Sequence, residues 1–324
     1  MIWWVPYCMQ PVLSALLIRR IWPPFDRWPQ PETLRAAPDY TIGQLQAAMA
    51  EGQILTGQAV HCDAALNLHI RLGALSGIMP RGECVAPFLS GAQREIAVLS
   101  CVGRGVCCRV TGQRTAPNGD TELLLSRRLA QEEAMDYIEA HAEPGLVIPA
   151  QITHLAPFGA FADIGCGVVA LLPLASISTA HIRHPRERFA MGQRIFAVVQ
   201  EIDRAVRRIT LSHKELLGTW LENAADFRPG DTVTGILRGK HPYGQFVELT
   251  PNLSGLTDTP QALPEGSAVS VRIRSIQPER QKIRLQVIRL LGPAAFPTPL
   301  PYRITSGSVR GWRYTQEPPL ISSQ

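Results

Sequence analysis

The sequence predicts an all-β protein made of three consecutive small barrels, each with about five strands. Three segments open alike, with a glycine followed by alternating β-branched and small residues, at Gly52, Gly145 and Gly230. The same segments close alike, with an apolar strand beside basic residues, at 122–128, 207–215 and 281–289. Alternation with period two is typical of half-buried strands, and units of about 70 to 90 residues suit small, partly open barrels.

The repeats divide the 324 residues into five parts. We expect a disordered N-terminal extension, a first barrel, a second barrel, a third barrel and a disordered tail, over residues 1–39, 40–138, 145–217, 228–292 and 293–324. The tail is rich in proline and serine, which favours disorder. Residues 127–141 and 214–227 have apolar residues at helical spacing, which predicts short helical linkers between the barrels.

The N-terminal extension begins with 18 largely apolar residues that are interrupted by Pro6 and Pro11 and followed by Arg19 and Arg20. A signal peptide has its basic residues first, and a membrane span needs about 20 unbroken apolar residues. An unstructured extension fits this pattern best, with a membrane anchor as the alternative, and we expect no membrane partner.

Charge favours an anionic partner for the second and third barrels. The whole chain carries a net charge of +5. Residues 40–138 hold 8 Lys and Arg against 9 Asp and Glu, whereas residues 145–217 hold 8 against 5 and residues 228–292 hold 9 against 5. Positive charge on a foldable domain is a weak indication of nucleic-acid binding.

Catalytic and cofactor sites are not expected. The seven cysteines are scattered without a CxxC pair, which is typical of reduced thiols in a cytosolic protein and not of a zinc site or a disulfide framework. The chain has no P-loop, no GxSxG, no HExxH and no dinucleotide fingerprint. We therefore predict a protein that is not an enzyme, with no metal, no cofactor and no small-molecule substrate.

The second segment resembles the S1 RNA-binding domain, a module with the OB-fold. The resemblance is carried by an ordered set of residues: Gly145, Phe158 to Phe161, Asp163 to Gly165, Leu171 to Pro173, Gly192, Gln193, Ile202, Asp203 and Arg208 to Ser212. The third segment is similar at Gly230, Tyr243 to Val247, Gly255, Leu256 and Gly266, and the first keeps only the frame. The chain as a whole looks like a bacterial multi-domain relative of ribosomal protein S1.

Aromatic pairs are the first group of candidate RNA-binding residues. Phe158 and Phe161 would point to opposite faces of a regular strand, but Gly159 permits a kink or bulge that brings both rings to the outer face. Tyr243 and Phe246 repeat the spacing in the third segment. Bases stack on such rings with little sequence preference. The alternative interpretation is that one ring of each pair belongs to the barrel core.

Polar and basic residues near these rings are the second group. In the second segment Asp203 and Arg208 match positions of the S1 family, with Arg207 beside them. In the third segment the candidates are Lys240, His241, Arg280, Lys282 and Arg284, with Arg238 leading into the same stretch. They would hold phosphates and make binding dependent on salt. Alternatively they are ordinary solvated surface.

Two departures from the family pattern limit the prediction. Many family members have a histidine at the end of the third strand, where this chain has Pro173. The first segment lacks a Phe or Tyr pair altogether and reads HCDAALNLHIRLG from His61. We therefore expect the first barrel to bind RNA poorly and to act as a docking or spacer module.

The resemblance implies a cytoplasmic protein that binds single-stranded RNA or mRNA in translation, with the small ribosomal subunit as a partner. The alternative is a structural or regulatory protein on the ribosome or RNA polymerase that uses its barrels mainly for protein contacts. An accessory subunit of an RNA-degrading assembly is a third possibility.

Overall fold

Three closed five-stranded barrels follow one another along the chain, which confirms the predicted all-β fold class. The computed structural model describes residues 28–32, 38–73, 75–85, 91–115, 121–242, 244–257 and 263–315. In each barrel the first three strands form an antiparallel meander, the third pairs in parallel with the fifth, and the fourth closes the barrel against the first. This is the strand order of a small Greek-key barrel.

Barrel 1 is preceded by helix α1, Ile42–Glu51, which Thr41 and Gln44 cap reciprocally. Its strands are β1 (Ile54–Cys62), β2 (Leu68–Leu72), β3 (Leu75–Met79), β4 (Gly105–Thr115) and β5 (Thr121–Ser126). A single 3₁₀ turn, Arg81–Glu83, and helix α2, Gly91–Leu99, lie between β3 and β4.

Barrel 2 follows helix α3, Arg127–His141, which coincides with the first predicted linker and begins where Ser126 Oγ accepts a hydrogen bond from the Leu129 amide. Its strands are β6 (Val147–Ala156), β7 (Gly159–Asp163), β8 (Val169–Pro173), β9 (Arg194–Asp203) and β10 (Arg208–Ser212). Two 3₁₀ turns, Leu174–Ser176 and Pro185–Glu187, lie between β8 and β9.

Barrel 3 follows a broken linker, because Gly218 adopts a φ of 84° between a 3₁₀ turn, Lys214–Leu217, and the short helix α4, Trp220–Ala224. Its strands are β11 (Thr232–His241), β12 (Gly244–Thr250), β13 (Leu253–Thr257), β14 (Ser267–Gln277) and β15 (Lys282–Pro293). None of the helices in the described part of the chain is long and apolar enough to span a membrane.

Part of the N-terminal extension is ordered, contrary to expectation. Trp28 is buried in the core of barrel 2 and donates from its indole nitrogen to the Ile164 carbonyl at 2.9 Å. Glu32 forms a two-pronged ion pair with Arg127, both contacts at 2.7 Å. Burying an indole and a satisfied ion pair fixes the segment 28–32 in place, whereas residues 1–27 and 33–37 lie outside the described residues.

The C-terminal tail is also ordered up to residue 315, and the prediction of disorder is wrong there. The Val147 amide donates to the Gly307 carbonyl at 3.0 Å, and the Val309 amide donates to the Gly145 carbonyl at 2.9 Å. Tyr302 packs edge to face on Phe196 with ring centroids 5.6 Å apart. Backbone pairing with the start of β6 and a partly buried tyrosine therefore hold a proline-rich segment that has no regular structure.

Barrels 2 and 3 are joined by a buried network of charges. Glu248 accepts from Arg188 at 2.8 Å and from Arg238 at 2.8 Å, and Arg238 also pairs with Glu187. Arg188 is 0% exposed and Arg238 is 4% exposed. We expected Arg238 to lie among the phosphate-binding residues, but its partners are the carboxylates of this junction.

Docking of the tail predicts a pH effect through His213. His213 is fully buried, with Nδ1 at 3.0 Å from the Ile177 carbonyl oxygen and Nε2 at 3.0 Å from the Tyr302 hydroxyl. Burial lowers the pKa of His213 from 6.5 to about 4. The unfolded chain therefore binds more protons than the folded chain between these values, and the free energy of unfolding falls as the pH falls through that window, by roughly 3 kcal/mol.

Urea unfolding of the parent and of His213→Asn, each measured at pH 7 and pH 4, isolates this contribution. The parent should lose more stability on acidification than the variant. Equal losses would show that the imidazole of His213 is not held neutral by its surroundings.

Candidate nucleic-acid interface

An outer row of side chains crosses four strands of barrel 2. His154 on β6 stands opposite Phe161 on β7, Phe161 opposite Leu171 on β8, and Leu171 beside Thr210 on β10. Ala160 and Ala162, which flank Phe161 along the strand, are 0% exposed and point into the barrel. Since side chains alternate between the faces of a strand, the Phe161 ring faces outward.

Phe158 joins this row from the turn that precedes β7. It is 61% exposed, and its ring meets Phe161 edge to face with centroids 5.9 Å apart. The carbonyl of Phe158 accepts from the Leu174 amide at 2.9 Å, which fixes the turn on which the ring is carried. His154 lies on the other side of Phe161, at 6.0 Å. We call these three rings the aromatic platform.

Gly159 has a different role from the one expected. Its φ is not positive, and it forms a regular pair with Pro173 on β8. A Cβ atom at this position would lie 2.5 Å from the Leu172 carbonyl oxygen, so glycine is needed because two backbones approach closely. Both phenylalanines share a face because Phe158 belongs to the turn and not to the strand; the irregularity in pairing lies on β6, between Ile152 and His154.

Among the basic candidates of barrel 2, Arg208 lies on the same outer face as the platform. It is exposed and stands two residues before Thr210 on β10, about 7 Å along the strand. Arg207 instead pairs with Asp136 at 2.5 Å and Glu139 at 3.3 Å on helix α3. Asp203 Oδ1 accepts from the Ala205 amide at 3.0 Å and shapes the turn between β9 and β10.

Barrel 3 repeats the row with a positive charge in it. Phe246 on β12 stands opposite Leu256 on β13, which lies beside Arg284 on β15. The His241 ring meets Phe246 edge to face at 5.3 Å. The side chains of Lys240, Arg280, Lys282 and Arg284 are exposed. Tyr243, the other expected ring, lies outside the described residues.

Barrel 1 carries a histidine pair where barrel 2 has its platform, and sequence inspection missed it. His61 stands opposite His69 next to an irregularity in β1, as His154 stands opposite Phe161. The two imidazoles stack in parallel with centroids 4.1 Å apart. His69 lies 3.5 Å from Asp63 and 3.9 Å from Glu122, so carboxylates surround this row. The sequence could have indicated this pair, because His61 and His69 flank the turn between β1 and β2 as His154 and Phe161 flank the turn between β6 and β7.

Asp163, one of the residues that carry the resemblance to the S1 domain, is buried beside the turn that follows β7. It is 2% exposed, and its Oδ1 accepts from the Gly165 amide at 2.8 Å and the Gly167 amide at 3.0 Å. Burial and the nearby charge of Glu32 raise the pKa of Asp163 above its ordinary value. Within the described ranges, no three His, Cys, Asp or Glu side chains converge as ligands for a metal ion.

Comparison with known proteins identifies the second barrel. Residues 141–214 match the family model of the S1 RNA binding domain, which confirms the resemblance seen in the sequence. Small ribosomal subunit protein bS1 of Staphylococcus aureus (strain COL) is 30% identical over 198 residues, 56% of this chain and 50% of that protein. The Small ribosomal subunit protein bS1 homolog of Bacillus subtilis (strain 168) is 31% identical over 160 residues, 46% and 42% of the two chains.

The chain thus spans about half the length of the curated relatives it matches. Among solved structures, a multidomain protein with nucleic acid binding domains from Streptococcus pneumoniae TIGR4 is 13% identical. That alignment covers 74% of each chain with a TM-score of 0.25.

The close approach at Gly159 predicts that even a methyl group there is harmful. Gly159→Ala should lower the free energy of unfolding by about 1 to 3 kcal/mol, because a strand must shift to relieve the collision with Leu172. Gly43→Ala in helix α1 is the matched control, since nothing lies within 4 Å of a Cβ atom at Gly43. Chemical denaturation of both variants measures the difference; equal stability of Gly159→Ala and the parent would refute the packing argument.

Proposed function

We propose that this protein binds single-stranded RNA across the outer face of barrel 2, the barrel that matches the S1 RNA-binding domain. The observation that carries the proposal is the pair of outward-facing rings, Phe158 and Phe161, on the domain that matches the family. Two outward-facing rings, of which Phe158 is exposed and Phe161 is half-buried, offer a stacking surface for bases, and each stacked base contributes about 1 to 3 kcal/mol.

Phosphate contacts accompany the stacking in this proposal. Arg208 lies on the same face of barrel 2, two residues before Thr210 of the outer row on β10. Barrel 3 has an outer face of the same kind, with Phe246 and His241 in contact and Arg284 in the same row as Phe246. Lys240, Arg280 and Lys282 add exposed positive charge. Arg207 and Asp203 act indirectly, by holding helix α3 and the turn that presents Arg208.

We assign the RNA to mRNA during translation, and we place the protein in the cytoplasm on the small ribosomal subunit. The names of its relatives support this assignment, since both bS1 proteins are small-subunit proteins. The protein acts as a binding protein and not as an enzyme. The aromatic platform consists of two phenylalanine rings and the His154 imidazole, and it holds no paired carboxylates for acid-base chemistry on a bound strand.

Barrel 1 is the docking module in this scheme. Its histidine row is bordered by Asp63, whose carboxylate repels phosphates, and by Glu122, which is paired with Arg114. Its helix α2 exposes Ile96 to 68% and Leu99 to 51%, three residues apart on one face of the helix. An exposed apolar strip of this kind favours a protein partner over RNA.

Replacing both rings tests the RNA proposal. In the whole chain, Phe158→Ala with Phe161→Ala should weaken binding of a fluorescent single-stranded RNA by more than tenfold, because stacking for two bases is lost. Fluorescence anisotropy at several salt concentrations measures the affinity and its salt dependence.

The matched control, Ile42→Ala with Met49→Ala, truncates two exposed apolar side chains on helix α1. Ile42 is 56% exposed and Met49 is 42% exposed. The control should bind like the parent. A folded double phenylalanine variant with unchanged affinity would refute the proposed binding face.

Ribosome docking is tested separately. Ile96→Glu with Leu99→Glu should reduce co-sedimentation with small ribosomal subunits while leaving RNA affinity unchanged, because charges are placed on the docking strip and not on the aromatic platform. Unchanged co-sedimentation would remove helix α2 from the docking surface, and co-sedimentation absent even for the parent would contradict the ribosomal assignment.

A further inference from the structure

A cleft of about 560 Å³ lies between barrel 1 and barrel 2 and opens beside the aromatic platform. From barrel 1 its wall includes Ala97, Ser100, Cys101 and Arg104; from barrel 2 it includes Gln151, His154, Phe161, Val169 and Met191. Its volume falls within the roughly 300 to 1,000 Å³ of sites for small organic ligands. The cleft shares His154 and Phe161 with the platform, so an RNA strand on the platform passes its mouth.

The buried charges in the wall of the cleft neutralise one another. Arg127 and Glu32 both line it, and they satisfy each other through two contacts of 2.7 Å. The Asp163 carboxylate accepts a hydrogen bond from the Glu32 amide at 2.6 Å, in addition to those from the amides of its own turn. These groups have their partners already, so recognition of a ligand falls to other residues in the wall.

Gln151, which lines this cleft, has a side-chain oxygen without a hydrogen-bond donor among the described residues. The residue is 6% exposed, and its Nε2 donates to the Gly192 carbonyl at 3.1 Å. That contact determines which atom of the amide is the oxygen, because a carbonyl accepts only from N–H. Oε1 is buried and has no hydrogen-bond donor in the described part of the chain. A buried acceptor without a donor is rare, and an N–H group from a ligand would satisfy it.

Apolar and basic groups complete the set that a nucleotide requires. Val169 is 54% exposed and Met191 is 55% exposed, and both line the cleft beside Phe161. Flexible thioethers and aromatic rings pack well against flat heteroaromatic groups. Arg104 is exposed at the barrel 1 side, and its guanidinium forms no ion pair with the residues that the structure describes.

We propose that the cleft binds one nucleotide of the RNA strand that lies on the aromatic platform. Its base enters between Val169 and Met191 and donates an N–H to Gln151 Oε1, and its phosphate lies at Arg104. The inference rests on the proposed RNA-binding function and extends it, because barrel 1 then supplies half of a nucleotide site instead of acting only as a docking module.

Arg104→Gln in the whole chain tests the phosphate contact. Affinity for single-stranded RNA should fall about threefold to tenfold, and the slope of log K against log salt should become shallower by about 0.7, as expected for one phosphate contact on a single strand. The matched control is Arg71→Gln, which removes an exposed arginine of barrel 1 outside the cleft and should leave the slope unchanged.

Gln151→Met tests the base contact. Affinity should fall about fivefold with an unchanged salt slope, since a neutral hydrogen bond is lost. Gln245→Met is the control for loss of a buried amide, because Gln245 is 4% exposed in barrel 3 and donates to the Leu263 carbonyl at 3.0 Å. Thermal unfolding of each variant separates loss of binding from loss of folding.

The results distinguish failure of the nucleotide site from failure of RNA binding on the aromatic platform. If Arg104→Gln and Gln151→Met bind like their controls while the double phenylalanine variant loses binding, the nucleotide site is refuted and RNA binding on the platform stands. If the double phenylalanine variant also binds like the parent, both the nucleotide site and the proposed RNA-binding face are refuted.

Discussion

The ion pair between Glu32 and Arg127 connects parts of the chain that are distant in sequence. Arg127 is the first residue of helix α3 and also donates to the Cys84 carbonyl at 3.2 Å in barrel 1. Glu32 accepts from the Cys107 amide of barrel 1 at 3.1 Å, and its own amide donates to Asp163 of barrel 2 at 2.6 Å. Removing either partner would leave a buried charge, which is far more unfavourable than losing an exposed pair. The relative position of the two barrels, and hence the cleft between them, depends on this pair.

One barrel topology carries three different outer faces. At the position of Phe161 in barrel 2, barrel 1 has His69 and barrel 3 has Phe246. At the position of Thr210, barrel 1 has Leu124 and barrel 3 has Arg284. Most residues that face inward are apolar in all three, because burial of apolar surface holds each barrel together. Outward positions are free of this constraint, so the chemistry of each face has diverged while the fold has not.

The three barrels could be predicted from the sequence, but the contacts that fix their arrangement could not. Strand alternation and the repeated glycines are local signals, and helix α3 was predicted with the bounds it has in the structure. Burial of Trp28 and Asp163, by contrast, depends on contacts across more than 100 residues, which no local pattern reports. Composition predicted disorder for the tail, but Tyr302 packs against Phe196 and His213, which are more than 80 residues away in sequence and which no composition reports. Gly159 was recognised as necessary for a reason that only the neighbouring strand reveals.

In the proposed complex, RNA lies across the outer face of barrel 2 with one nucleotide in the adjacent cleft. Photo-cross-linking of a single-stranded RNA that contains 4-thiouridine, followed by mass spectrometry of the attached peptides, tests this most directly. We expect attachment to peptides that contain Phe158 and Phe161 of barrel 2 and to peptides around Arg104 of barrel 1. Attachment confined to the His61 and His69 face of barrel 1, or to the tail beyond residue 293, would contradict it.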